Sequence, residues 1–236
     1  MDRRIYAPSS GLETWKCRLA APETQWVRKK SAFETAVFWE SGAMQPRGLS
    51  SSLAALLDQE ASLRGSELVA SFPEHRVKLP GGTRASQTDV WAILRAPIGL
   101  VSVAIEGKAG ESFAETVGEW RKDASGGKEK RLTFLCETLG IARPIDDAVR
   151  YQLLHRTVSA LLEAERIGAN AAAMIVVSFA ADPRSKTDFA TFGSCVGVTI
   201  ATGALSRAET TPGCPLYLGW LDVAPCSDAA IAAVAF

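Results

Sequence analysis

The run AAAMIVVSFAA, from Ala171 to Ala181, limits the choice of fold more than any other part of the chain. It is continuously apolar and contains β-branched residues, which is typical of a strand covered on both faces. It reaches only about half the length of a membrane span. We therefore predict an α/β fold in which a mixed central sheet is flanked by helices on both faces.

Short elements separated by polar and Gly/Pro clusters surround this strand, and none of the separators is long enough to link two domains. We predict one domain over residues 1–236, with a helical part at about 1–70 and an α/β core at about 75–225. Helices are predicted at about 32–40, 50–69, 132–139 and 147–167, with a further helix capped by Ser112 and Glu115. Strands are predicted near residue 75, in a hairpin after it and in 215–224, whereas 121–131 reads as a charged loop and 189–200 as either helix or strand.

Composition excludes several classes of protein. The chain has 26 basic and 26 acidic residues, so no overall field draws it to nucleic acid or an anionic membrane, and such a partner needs a local patch. The N-terminus has no apolar run behind its basic residues, which predicts a cytoplasmic protein without an export signal. Five cysteines without a C-x-x-C pair or zinc-like histidine spacing indicate reduced thiols.

The hairpin TDVWAILRAPIGLVSVAIEGKAGESF, residues 88–113, carries charges among apolar residues. If Ala96–Gly99 forms the turn, the numbers of paired residues sum to 195 and Asp89 lies opposite Glu106. Lys108 points to the same side as Glu106 because strand side chains alternate. The other face of both strands is then entirely apolar, which supports this register.

Two carboxylates in directly opposed strand positions repel each other, so a positive charge is expected between them. Lys108 alone could supply it in a structural salt bridge. A divalent metal would instead take oxygens from both carboxylates and leave positions for water and a phosphate oxygen. Carboxylate ligands without histidine or cysteine favour Mg²⁺ or Mn²⁺.

Asp89 followed by Glu106-Gly107-Lys108 on the next strand resembles the D…E-x-K signature of the PD-(D/E)xK nuclease superfamily. With LPGGTRASQTDVW, EGKAGESF and RYQLLHRTVSA, the chain looks like an uncharacterised bacterial family within that superfamily. The resemblance implies a restriction-endonuclease-like core, metal binding by Asp89 and Glu106, and action of Lys108 on the nucleophile and the transition state. Thr88 stands where the name of the signature has proline.

Many members of the superfamily add a glutamate from the helix before the first core strand. Glu67 is the first candidate for this third metal ligand, and Glu60 and Glu74 are alternatives.

The helix predicted at 147–167 places Gln152, His155 and Arg156 on one side. We expect Gln152 and His155 to lie near the scissile group as catalytic residues, as helix glutamines do in some relatives. Arg156 and Arg150 are expected to bind the phosphate backbone. The alternative is a solvated or interhelical face joined by hydrogen bonds.

The expected function is that of a Mg²⁺- or Mn²⁺-dependent nuclease that hydrolyses phosphodiester bonds of nucleic acid, with DNA as the expected substrate. The alternative is a non-catalytic module that binds nucleic acid or protein and retains the fold. Many proteins of this fold dimerise to cut two strands, and the sequence leaves the choice between monomer and homodimer open.

Overall fold

A six-stranded mixed sheet forms the centre of the molecule in the computed structural model, which describes residues 11–123, 125–180 and 182–234. The strands are β1 (Glu67–Val77), β2 (Ser86–Ala96), β3 (Gly99–Lys108), β4 (Ala171–Phe179), β5 (Leu205–Ala208) and β6 (Leu216–Val223). They are arranged in the order β1-β2-β3-β4-β6-β5. The β1-β2-β3 meander and the β5-β6 pair are antiparallel, whereas β3, β4 and β6 run parallel.

Helices cover both faces of this sheet. They are α1 (Leu12–Lys16), α2 (Pro22–Gln25), α3 (Ser31–Ala43), α4 (Ser51–Asp58), α5 (Val117–Arg121), α6 (Gly126–Leu139), α7 (Tyr151–Ile167), α8 (Pro183–Cys195) and α9 (Asp228–Val234). Apolar residues of α1, α3, α4 and α9 pack on one face, and those of α6, α7 and α8 pack on the other. The predicted α/β class, a mixed sheet with helices on both faces, is confirmed.

The buried strand and the hairpin agree with their sequence patterns. Every residue of β4 is buried, as expected for a strand between two helical layers. In the hairpin, Val90 pairs with Ile105 and Arg95 with Leu100, which confirms the register summing to 195. Its apolar face lies in the core on the same side as α3 and consists of Val90, Ala92, Leu94, Val101, Val103 and Ile105.

The helix predicted at 50–69 is too long, because α4 ends at Asp58 and the chain turns through Gly65 with φ of 76°. Residues 67–77 then form β1 along the edge of β2. The leucine spacing favoured a helix, but pairing with β2 outweighs this local preference. The α/β core therefore begins at Glu67 rather than near residue 75.

Three further boundaries differ from the prediction. Thr116 and Glu119, rather than Ser112 and Glu115, form the capping box, because α5 begins only at Val117. The charged segment 121–131 is partly helical, since Ser125 caps α6. The segment left as helix or strand forms most of α8, which ends at Cys195.

No helix among the described residues has the length and apolarity to cross a membrane. The prediction of no export signal concerns residues 1–10, which lie outside the described residues, as does Ala181 at the end of the predicted buried strand.

Candidate active site

The candidate site lies where the hairpin strands stop pairing. The last β2-β3 pair is Val90 with Ile105, and Asp89 is the next residue along β2. There the backbone N–H of Gly107 donates to Oδ2 of Asp89 at 2.8 Å. The structure thus brings Asp89, Glu106 and Lys108 together in the wall of one cavity.

Glu74 adds a third carboxylate to this wall. Its neighbours Pro73 and His75 pair with Val90 and Thr88, which sets Glu74 beside Asp89 on β1. Glu74, Asp89 and Glu106 therefore form a row across three adjacent strands, which we call the carboxylate row. Neighbouring strands of a sheet lie about 4.8 Å apart. The three carboxylates are thus close enough to interact electrostatically.

The backbone at Glu74 is unusual, since its φ is 55°. A non-glycine residue in the left-handed region is uncommon and costs about 1 kcal/mol or more. The carboxylate accepts a hydrogen bond from Nε2 of Gln87 at 2.6 Å. Strained backbone of this kind clusters at functional sites.

Glu67, the first candidate for the third ligand, does not lie at the site. It is exposed and pairs with Arg95 near the opposite end of the hairpin, about 20 Å from Glu74 along the strand. Glu60 is also distant, since it accepts from Ser62, whose carbonyl binds Ile98 at the hairpin turn. Glu74 alone of the three candidates reaches the site, and it comes from an edge strand rather than a helix.

Glu106 is buried and hydrogen-bonded through both oxygens. Nζ of Lys108 lies 3.0 Å from Oε1, and Nε2 of Gln152 lies 2.5 Å from the same oxygen. Nε of Arg156 lies 3.0 Å from Oε2. Oε1 of Gln152 also accepts from Lys108 at 3.3 Å, so this amide bridges the glutamate and the ammonium.

The three carboxyl groups of the row differ in how readily they ionise. Burial and repulsion from Glu106 and Glu74 raise the pKa of Asp89 well above its usual value. Burial likewise raises the pKa of Glu74 to about 7. Burial also acts to raise the pKa of Glu106, but Lys108 and Arg156 outweigh it and the pKa is lowered. Glu106 is thus ionised, whereas burial and the neighbouring carboxylates favour the protonated forms of Asp89 and Glu74.

Glycine is required at the middle position of Glu106-Gly107-Lys108. Gly107 faces α3, and a Cβ there would lie 1.9 Å from Oγ1 of Thr35. Among the described residues, this buried hydroxyl has no hydrogen-bond partner. Close approach of α3 to β3 therefore leaves no room for a side chain between Asp89 and the helix.

Not all of the polar residues predicted on α7 lie at the cavity. Gln152, His155 and Arg156 line the cavity. Nδ1 of His155 lies 2.8 Å from the Ser86 hydroxyl, and burial lowers the pKa of His155 well below its usual value, so the ring is neutral near pH 7. Arg150 is not placed with them. Its guanidinium binds Asp188 at 2.9 Å and the carbonyl of Ala114, and Arg150 itself does not line the cavity.

The cavity has a volume of about 980 Å³, and its wall contains many residues besides Asp89, Glu106 and Lys108. Its wall includes four further basic side chains: Lys30, Arg76, Arg84 and Arg131. Arg131 fixes the turn before Arg84 by donating to the carbonyls of Leu79, Pro80 and Gly82. With the described residues Arg84 makes no hydrogen bond or ion pair, and it is exposed. The cavity wall therefore carries basic side chains that could bind an anion, together with the carboxylate row, Glu111 and Glu115.

Sequence reasoning left Glu74 as an alternative and missed Gln87, Arg84 and Arg131. Glu74 and Asp89 are separated in the sequence by a turn. This spacing indicates that they are neighbours only if residues 67–77 form a strand that pairs with β2. Nothing local marks the other three.

No group of three or more His, Cys, Asp and Glu side chains within the described ranges is already arranged to hold a metal ion. The contacts of the carboxylate row give the reason. Glu106 is engaged by Lys108, Gln152 and Arg156, and Glu74 is engaged by Gln87. A cation at this row would have to replace at least one of these partners.

Comparison with known families assigns most of the chain to one group. A family model described as a domain of unknown function, DUF6946, matches residues 8–225. The chain belongs to the DUF6946 family. Every residue of the carboxylate row, together with Lys108, Gln152 and Arg156, lies within the part that matches DUF6946. No curated protein and no solved structure gave a significant match to the chain.

Proposed function

We propose that this protein is a metal-dependent nuclease that hydrolyses phosphodiester bonds of nucleic acid, with DNA as the expected substrate. The carboxylate row with Lys108 beside it, in the wall of an open cavity, is the observation that carries the proposal. Carboxyl groups with perturbed pKa values that converge in a cavity mark a candidate functional site. The resemblance to the PD-(D/E)xK superfamily, with its restriction-endonuclease-like core, agrees with a nuclease function. We expect a nuclease of this type to act in the cytoplasm.

The chemistry of the carboxylate row fits Mg²⁺ or Mn²⁺. Its donors are carboxylate oxygens, the ligands that these hard cations prefer. Burial and mutual repulsion raise the pKa values of Asp89 and Glu74, and a divalent cation bound between these groups would favour their ionised forms. Glu74, Asp89 and Glu106 would hold the ion. Once bound, the ion would supply Lewis acidity to water and to a phosphate oxygen.

Lys108 is the proposed catalytic cation. Its ammonium group is held between Oε1 of Glu106 and Oε1 of Gln152 and lies 4.8 Å from the ring centre of Phe113. These contacts fix it in a buried place where an ammonium group stabilises negative charge more strongly than in water. Its role would be to orient the attacking water and to offset the charge that develops on the phosphoryl oxygens.

The neighbouring residues of α7 would position these groups. Gln152 joins Lys108 to Glu106, so it sets the direction of the ammonium group. His155 is neutral, so it would contribute a hydrogen bond rather than a charge. Arg84 and Arg76 in the cavity wall would contact phosphates on either side of the scissile bond.

A cleavage assay tests the proposal. Single- and double-stranded DNA and RNA are incubated with the protein in Mg²⁺ or Mn²⁺, beside the variants Asp89→Asn and Lys108→Ala. Cleavage by the wild type that falls at least about a hundredfold in both variants is expected. Glu67→Gln changes an exposed carboxylate of the same sheet and should retain full activity. Cleavage that persists in Asp89→Asn, or that survives EDTA, would contradict the proposal.

The second candidate is a non-catalytic module that binds nucleic acid or protein. The ion pairs of Glu106 with both Lys108 and Arg156 favour it, since they satisfy this carboxylate without a metal. Such a module would bind nucleic acid equally well in EDTA and in Mg²⁺ and would leave every substrate intact. A gel-shift titration under both conditions separates the two candidates.

A further inference from the structure

Arg156 occupies the position where a cation is needed at the carboxylate row. Its Nε is 3.0 Å from Oε2 of Glu106, and its side chain is only 12% exposed. The same charge also lowers the pKa values of Asp89 and Glu74 against the effect of burial. The guanidinium group therefore interacts with all three carboxylates and partly neutralises them in the metal-free protein.

A divalent cation and Arg156 would compete for Glu106. Lys108 and Gln152 already share Oε1, so Oε2 is the oxygen that Arg156 would have to release. Two cations close together in a partly buried site also repel each other. Metal binding at the row consequently favours movement of Arg156 away from Glu106.

Arg156 needs another anion if it leaves Glu106, because a partly buried guanidinium without a partner is costly. A phosphodiester suits it, since its oxygens match the planar fork of arginine. Arg156 lines the open cavity, where a substrate phosphate would lie beside the carboxylate row. The exchange of one anion for another keeps the guanidinium paired throughout.

We propose that Arg156 couples metal binding to nucleic-acid binding by exchanging Glu106 for a substrate phosphate. This inference rests on the proposed function. In the free protein Arg156 holds Glu106 and weakens its affinity for metal. With nucleic acid bound, Arg156 turns to the phosphate and releases Glu106 for the ion. Because such coupling is reciprocal, metal also strengthens the binding of nucleic acid.

Mn²⁺ binding measured by electron paramagnetic resonance tests the coupling without any turnover. The titrations are made at pH 8 with and without a short DNA duplex containing phosphorothioate linkages. For the wild type, the duplex should strengthen Mn²⁺ binding about tenfold or more. For Arg156→Gln, Mn²⁺ should bind at least about tenfold more tightly than to the wild type in the absence of DNA, and the duplex should add little.

Arg150→Gln is the matched control, since Arg150 caps the N-terminus of the same helix and pairs with Asp188 instead of a carboxylate of the row. It should leave both the Mn²⁺ affinity and the effect of DNA unchanged. Arg156→Lys keeps the charge but lacks the planar fork, so it should lie between the wild type and Arg156→Gln. If Arg156→Gln fails to fold, the Mn²⁺ affinity of Arg156→Lys tests the coupling in its place.

The outcomes separate the inference from the function on which it rests. Mn²⁺ binding that is unaffected by DNA and by substitution of Arg156 would overturn the coupling and leave the nuclease proposal standing. Failure of every variant to bind Mn²⁺, with or without DNA, would overturn both. Cleavage rates alone would not distinguish these results, because Arg156 also contacts the substrate in the proposal.

Discussion

Glu74→Gln should make the fold more stable above neutral pH while it removes a proposed metal ligand. Glu74 shares a partly buried row with Asp89 and Glu106, and burial raises its pKa from 4.5 to about 7. Its ionised form is therefore disfavoured in the folded protein relative to the unfolded chain. Glutamine has a similar shape and cannot ionise, so it lacks this cost.

The direction and size of this stability difference follow from the pKa values of Glu74 in the unfolded and folded states. Below about pH 4.5 the carboxyl group is protonated in both states, and its ionisation costs nothing. As pH rises, the unfolded chain loses this proton first, so wild-type stability falls until the folded group ionises at about pH 7. A difference of about 2.5 in pKa corresponds to about 3 kcal/mol. The advantage of Glu74→Gln over the wild type should thus grow by about 2 to 3 kcal/mol between pH 4 and pH 8.

Urea unfolding followed by tryptophan fluorescence measures this difference, since the chain has six tryptophans. The measurements are made in EDTA at several pH values, and comparing the variant with the wild type cancels the titration of groups that do not interact with Glu74. Glu67→Gln, at an exposed position of the same strand, should show no such pH-dependent gain. If the free energies of unfolding of Glu74→Gln and the wild type differ by the same amount from pH 4 to pH 8, burial and repulsion by Glu106 do not raise the pKa of Glu74.

Three further predictions concern Gly107, Arg131 and Glu67. Gly107→Ala should lose about 2 to 3 kcal/mol of stability, because its Cβ would meet Oγ1 of Thr35 at 1.9 Å. In the double variant Gly107→Ala/Thr35→Ala, the nearest atom to the new Cβ is Cβ of residue 35 at 3.2 Å. Urea unfolding should then show that at least about 1 kcal/mol of the lost stability is recovered. If the stability losses of the two single variants simply add in the double variant, this contact is excluded. Arg131→Ala should free the turn before Arg84, which limited digestion with trypsin would detect as faster cleavage there; an unchanged rate would mean that Arg131 does not fix the turn. Glu67→Gln should leave Mn²⁺ affinity unchanged, and a loss of affinity would contradict the placement of Glu67 far from the site.

The parts of the fold that sequence patterns predicted correctly depend on neighbours close in the chain. The turn at residues 96–99 and the alternation on either side of it determine the β2-β3 register, so the place of Asp89 near Glu106 could be read directly. The continuous apolar run likewise indicated a strand between two helical layers. Both signals lie within one hairpin or one strand.

The third carboxylate could not be identified in this way. Glu74 reaches the row only because β1 pairs with β2 beyond a turn, and the leucine spacing before it suggested a longer helix that would have carried Glu67. Arg150 and Arg156 could not be separated either, since both lie in the helix predicted at 147–167 and both can bind a phosphate. Asp188, on a helix distant in sequence, is what directs Arg150 away from the cavity.

Anomalous scattering from crystals grown with Mn²⁺ and a phosphorothioate DNA tests the metal site most directly. A metal-dependent nuclease predicts an anomalous peak within coordination distance of Asp89 and Glu106, which is lost in Asp89→Asn crystals. It also predicts that Arg156 contacts a phosphate in the same crystals. Bound DNA with no peak at the carboxylate row, and with Arg156 still paired with Glu106, would contradict the metal site and favour a binding module instead.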